Sequence, residues 1–244
     1  MFKINFHLVI YRYEMVVALI VLLLTGSIVV SSKDRPQDLA DQNPRYPYKI
    51  ALTFDDGPHP DFTDRLVSAL RRDNVKATFF IVGKQGMEYP MLIKELSMAG
   101  HEVEVHGFTH VNLTKISDDK IEKELSLTRA VIEDITGKKC LYFRPPGGNY
   151  DARVLKYAGA VGQGMVLWSV FPKDHDEGDS ELIIQKVFAQ ASDGGVVLLH
   201  SGREPTLKAL PVIIARLREM GFQFVTVEQL RTGGGPQNQL VWRK

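Results

Sequence analysis

From Lys49 onward, short apolar runs alternate with longer stretches in which apolar residues recur every three or four positions. The short runs are Ile50–Phe54, Ala77–Val82, Glu102–Val105, Leu141–Phe143, Val166–Val170, Val196–Leu199 and Phe222–Thr226, and they read as strands. Helices are predicted between them over Phe62–Arg72, Met91–Met98, Asp118–Ile135, Ala152–Ala158, Glu181–Ala191 and Leu207–Met220. In the third of these, Ile121, Leu125, Thr128, Ile132 and Ile135 mark one face of an amphipathic helix. Ser117 supplies an N-cap, Asp118 and Asp119 suit the positive end of the helix dipole, and Gly137 is a plausible stop. One strand per helix predicts an α/β fold with a parallel sheet, and seven strands suit a closed or nearly closed barrel better than a short open sheet.

The N-terminus has a different pattern. Met15–Val30 carries no charge, follows Lys3, Arg12 and Glu14, and shows no amphipathic period. It reads as a secretion signal or an N-terminal anchor. The run falls just short of the roughly 17–25 residues of a full span, and Ser31 and Ser32 extend it. No Ala-x-Ala cleavage site follows, which favours an uncleaved anchor. The expected organisation is an anchor or signal segment over 1–32, a proline-bearing linker over 33–48, a catalytic domain over 49–230 and a loosely ordered tail over 231–244.

A chain of 244 residues with 44% hydrophobic content can bury one large core. The net charge of +1 gives no electrostatic footprint for a nucleic-acid partner. The single cysteine, Cys140, excludes an intrachain disulfide and a cysteine-based zinc site, and an inert buried thiol is expected.

Sparse polar residues gather at the ends of the predicted strands. Thr53-Phe-Asp-Asp-Gly-Pro58 follows the first, and alone Asp-Asp-Gly-Pro is ordinary turn chemistry. His106-Gly-Phe-Thr-His110 follows the third; two imidazoles four apart can converge on one ion, and Asp56 would complete a two-His, one-carboxylate set with open positions. Phe143-Arg144-Pro-Pro-Gly-Gly148, Trp168-Ser-Val-Phe-Pro-Lys-Asp174 and Leu198-Leu-His200 follow later strands. Each is weak alone. Their order and their common strand-end placement argue for one site, as at the C-terminal face of a barrel.

With these motifs, from about Lys49 to Leu230, the chain resembles the polysaccharide deacetylases of the NodB-homology type, carbohydrate esterase family 4. The first motif, TFDDGP, is complete; His106 and His110 meet the His-x-x-x-His motif; Arg144, Pro146 and Gly148 meet Arg-x-Pro-x-Gly; Asp174 matches the fourth motif, and Leu198 with His200 the fifth. Three positions depart from the family pattern. Gly147 stands where an aromatic residue is usual, His175 where Trp is frequent, and Glu104-Val105 where Gly-Asn is frequent.

The resemblance implies a distorted (β/α)7 TIM-like barrel. It also implies a divalent metal on Asp56, His106 and His110, with zinc the first choice and cobalt, nickel or manganese able to serve. In this scheme Asp55 is the base, Arg144 holds it by a charge-assisted hydrogen bond, and His200, assisted by Asp174, is the acid. Sequence alone does not distinguish Asp55 from Asp56. Pro146, Gly147, Trp168 and Leu198 are the expected substrate contacts, with Leu198 and Trp168 around the acetyl methyl group.

The expected activity is removal of N-acetyl groups from amino sugars in a polysaccharide of the chitin, chitooligosaccharide or peptidoglycan type. The rivals are an O-acetyl esterase on cell-wall sugars or xylan and a catalytically silent carbohydrate-binding protein. A monomer is expected. So is a membrane location with the domain outside the cytoplasm, where structural amino-sugar polymers lie, or secretion if the segment is cleaved.

Overall fold

The computed structural model describes residues 46–233 and 242–243. The expected anchor and nearly all of the linker lie outside them, and no helix among the described residues is long and apolar enough to cross a membrane.

Eight strands form one sheet. β1 (Tyr48–Gly57) is central, with β6 (Gly195–His200) on one side and β2 (Thr78–Ile81), β3 (Glu102–Val105), β4 (Tyr142–Phe143) and β5 (Gly164–Val166) following in order on the other. β7 (Phe222–Phe224) pairs with the first residues of β1. All these pairings are parallel; β8 (Trp242–Arg243) adds an antiparallel edge to β5. The principal helices are α1 (Thr63–Arg72), α2 (Gly83–Glu88), α3 (Pro90–Met98), α4 (Asp118–Thr136), α5 (Ala152–Ala160), α6 (Ser180–Gln190), α7 (Glu204–Glu219) and α8 (Val227–Thr232). The arrangement is the expected distorted (β/α)7 barrel.

Most strand positions are apolar on both faces because each face is buried, as parallel sheets require, with Glu102 and Glu104 on one face of β3 as exceptions. Ile50, Leu52, Phe54, Phe79, Ile81 and Val105 pack outward against helix residues such as Leu66, Ile93 and Ile121. Ala51, Phe80, Tyr142, Val166 and Val196 form a second, inner cluster with Val227 and Leu230 of α8. With a side-chain period of two, the inner rows continue along β1, β4 and β6 to Asp55, Arg144 and His200.

Several local details differ from the sequence reading. Val166–Val170 is not one strand: β5 stops at Val166, and Val170 rejoins by a single bridge to Val197 that closes the barrel. The interval turns away because the carbonyls of Val166 and Leu167 accept hydrogen bonds from Arg144. Ser117 occupies the N-cap of α4, but its hydroxyl donates to Asp119 rather than capping the backbone. Gly137 ends that helix at φ 67°, as expected.

The short α2 was not legible. α8 carries a capping box of Thr226 with Gln229, a signal present in the sequence. Of the expected tail, Arg231 and Thr232 belong to α8 and Trp242–Arg243 to β8, because a two-residue edge strand has no periodicity to read. Cys140 is buried, and burial pushes its thiol far above the usual range.

Candidate active site

The site begins with an irregularity. The register of β1 against β2 shifts between Phe54 and Gly57, and Asp56 adopts a left-handed φ of 71°. In a regular strand, neighbouring side chains face opposite sides. Here the bulge brings both carboxylates to one imidazole: His106 Nε2 lies 3.6 Å from Asp55 Oδ2 and 3.4 Å from Asp56 Oδ1.

His106 follows β3 directly. Its Nδ1 is 2.8 Å from the Arg144 carbonyl, which can only accept, so Nδ1 carries the proton and Nε2 presents a lone pair. His110 is reached through a turn wrapped around the Glu124 carboxylate of α4. Glu124 accepts from Phe108 N (2.7 Å), Thr109 N (2.8 Å) and Thr109 Oγ1 (2.6 Å). The carbonyls of Gly107 and Phe108 accept from the first two amides of α2. This packing holds His110 at φ 62°, with Nε2 3.0 Å from Asp56 Oδ1.

Although two imidazole nitrogens lie this close, neither contact is aligned as a hydrogen bond, and Asp56 Oδ1 is enclosed without a partner. One ligand atom of each of Asp56, His106 and His110 lies within 4.8 Å of the others, and the donor set fits a divalent metal. Burial alone would raise the Asp56 carboxyl, but His106 and His110 outweigh it and hold it far below the carboxylate range. Asp56 in turn raises the His110 imidazole, so protons compete with a cation for the same lone pairs.

Arg144 is completely buried at the centre of the barrel. Nη1 donates to Asp55 Oδ1 (2.7 Å) and Thr53 Oγ1 (2.8 Å), Nε to Val166 O (3.2 Å) and Nη2 to Leu167 O (2.9 Å). The guanidinium also lies over the Phe80 ring, 4.1 Å from its centroid. Burial presses its pKa down, and the Asp55 carboxylate opposes that shift.

The second buried pair is Asp174 with His200. Asp174 Oδ1 is 2.7 Å from His200 Nδ1, while Oδ2 accepts from His200 N and Thr206 Oγ1. Burial would lower the His200 imidazole, but Asp174 prevails and its pKa is raised. With Nδ1 committed, Nε2 is the nitrogen left free.

A cavity of about 780 Å³ is lined by Asp56, His59, His110, His175, His200 and Arg203, among others. The expected metal and acid residues therefore come together. Pro146, Gly147, Trp168 and Leu198 do not line this cavity. Leu198 and Pro146 are buried, Gly147 is exposed, and Trp168 packs over Gly148, where a Cβ would meet it at 2.6 Å.

Sequence reasoning missed Glu124 and Thr53, whose roles depend on contacts between distant segments. It also passed over His59, which directly follows the TFDDGP motif. His175 stacks on Phe171 at 5.5 Å and 11° and faces His200 at 5.0 Å.

The family model for polysaccharide deacetylase matches residues 42–166. A peptidoglycan-N-acetylglucosamine deacetylase of Bacillus cereus is 38% identical over 186 residues, covering 74% of this chain and 87% of that protein. The peptidoglycan-N-acetylglucosamine deacetylase PgdA of Listeria monocytogenes is 35% identical over 182 residues, 75% of this chain; the matched part spans 38% of that relative's length. The structure of the peptidoglycan deacetylase PdaC from Bacillus subtilis superposes with a TM-score of 0.73 at 32% identity, covering 79% of this chain and 93% of that one.

The Glu124 contacts carry a direct expectation. Glu124→Leu removes the acceptor shared by the Phe108 and Thr109 amides, and divalent-metal affinity should fall about tenfold, as loss of supporting contacts around metal ligands typically causes. Metal titration checks this, alongside a circular dichroism spectrum that should not change. Undiminished affinity would show that the turn holds His110 without Glu124.

Proposed function

The chain belongs to the polysaccharide deacetylase family, and we propose on that footing that it is a metal-dependent hydrolase releasing acetate from N-acetylated amino sugars in a polysaccharide. The observation that carries this reading is the assembly of two buried acid–base pairs, Arg144–Asp55 and Asp174–His200, beside the convergent Asp56, His106 and His110. Peptidoglycan of the kind named for the relatives is the first substrate class to test, followed by chitooligosaccharide.

A divalent cation on Asp56, His106 and His110, zinc first and cobalt, nickel or manganese next, supplies Lewis acidity toward the acetyl carbonyl and the attacking water. Asp55 Oδ1 is held by Arg144, which leaves Oδ2, beside His106, to take the proton from that water. Arg144 fixes the base by a charge-assisted hydrogen bond and is itself fixed by the Val166 and Leu167 carbonyls. His200 Nε2 delivers a proton to the departing amine nitrogen, and Asp174 orients the ring and favours its charged form. Asp56 and Asp55 thus divide their labour: one ligates and the other moves a proton.

A silent carbohydrate-binding protein would need neither buried pair, which counts against that rival. An O-acetyl esterase would use the same groups. Acetate release from N-acetylglucosamine oligomers, peptidoglycan and acetylated xylan separates the readings; release from xylan alone would favour the esterase, and release from none would overturn both hydrolase readings. We further propose a monomer tethered by its N-terminal segment with the barrel outside the cytoplasm. Protease added to cells with an opened wall should digest it, and protection until membrane lysis would contradict this.

Asp55→Asn should keep the metal and lose about 10²–10⁴ in turnover, the usual contribution of a general base. Asp56→Asn should weaken metal binding instead. Reversal of these two phenotypes would refute the division of labour.

The raised pKa of His200 sets the alkaline limb of activity, because the protonated ring is lost as pH rises through that pKa. Asp174→Asn removes the carboxylate that raises it, so the alkaline limb of kcat/KM should move to lower pH. A limb that stays in place would exclude His200 as the titrating acid.

A further inference from the structure

His175 and His200 face each other across the cavity wall, with ring centroids 5.0 Å apart and planes at 58°. His106 and His110, the pair that converges with Asp56, are disposed almost identically, at 5.0 Å and 59°. Each ring of the first pair has a carboxylate at one nitrogen. Asp174 Oδ1 is 2.7 Å from His200 Nδ1, and Asp176 Oδ2 is 3.1 Å from His175 Nε2. A carboxylate behind an imidazole fixes its tautomer and strengthens the other nitrogen as a ligand. Only the Asp174 contact is aligned as a hydrogen bond, so His200 is left with Nε2, while His175 keeps both nitrogens available. Asp174, His175 and His200 each offer a ligand atom within 4.8 Å of the others, and the His175 side chain is 39% exposed, so an ion can approach.

We propose that His175 and His200, the latter oriented by Asp174, form a second divalent-cation site that takes zinc or another imidazole-seeking transition ion. Both Asp174 oxygens already accept hydrogen bonds, so the two imidazoles are the direct ligands and solvent completes the shell. With two protein ligands rather than three, this site is the weaker of the two. It is a feature of this chain's sequence, because the Trp frequent in the resembling family at position 175 has no lone pair to offer. Occupancy engages His200 Nε2, the atom that delivers the proton in the deacetylase reading, so zinc in excess of the first equivalent inhibits. The binding claim stands on the geometry; the inhibition rests on the deacetylase reading.

Equilibrium dialysis of the full chain in detergent against zinc chloride, with zinc counted per chain, tests the site. The wild-type chain should bind two equivalents, the second at least tenfold more weakly. His175→Trp and His175→Gln should each bind one. His106→Ala combined with His110→Ala should lose the tighter equivalent and keep the weaker. Saturation of the wild-type chain at one equivalent, or two equivalents in both His175 variants, overturns the site. In acetate-release assays, both His175 variants should need at least tenfold more zinc for half-inhibition. Equal inhibition of wild type and variants overturns the inhibitory role. Absence of acetate release from every substrate would sink the deacetylase reading, and the dialysis would still decide the site.

Discussion

A guanidinium enclosed inside a protein must find acceptors for its N–H groups and a counter-charge, or it costs several kcal/mol. Arg144 meets both demands, and much of the local geometry follows. Its bonds to Val166 and Leu167 end β5 early and turn the chain toward the closing bridge at Val170. Its bond to Thr53 meets a hydroxyl that itself donates to the Val197 carbonyl, tying β4 to β1 and β6. Its bond to Asp55 fixes one oxygen of that carboxylate. Its own carbonyl accepts from His106 Nδ1 and thereby sets the tautomer of a proposed metal ligand. One buried side chain therefore couples barrel closure to the orientation of the proposed base and of one proposed ligand.

The second constraint is the bulge in β1. Two successive carboxylates serve one site only if the strand's alternation is broken, and the left-handed Asp56 breaks it. Asp55 is then buried against Arg144 while Asp56 reaches both imidazoles. The difference in environment, rather than any difference in chemistry between two aspartates, separates the roles proposed for them.

This explains what could be read from the chain. Six of the seven main strands and six of the helices were legible because their apolar spacing is set by the two buried layers, inside and outside the sheet, whereas the strand read at Val166–Val170 overlaps β5 only at Val166. Asp56, His106 and His110 were legible as a candidate set because ligand-type side chains cluster in two short motifs at the ends of predicted strands. Which aspartate does what was not, since a bulge leaves no mark in residue type. Glu124 looked like one more polar residue on α4, yet it is buried and organises a turn fifteen residues earlier in the chain. Pro146, Gly147, Trp168 and Leu198 came from motif membership and lie outside the cavity lining, which includes His59, His175 and Arg203.

The central claim is that Asp56, and not Asp55, joins His106 and His110 around one cation while Arg144 keeps Asp55 off it. Anomalous diffraction from crystals equilibrated with one equivalent of zinc tests this most directly. The account predicts one strong peak at bonding distance, about 2.0–2.2 Å, from Asp56, His106 and His110, with Asp55 still hydrogen-bonded to Arg144. A peak ligated by Asp55 in place of Asp56, or one centred away from these histidines, would contradict it.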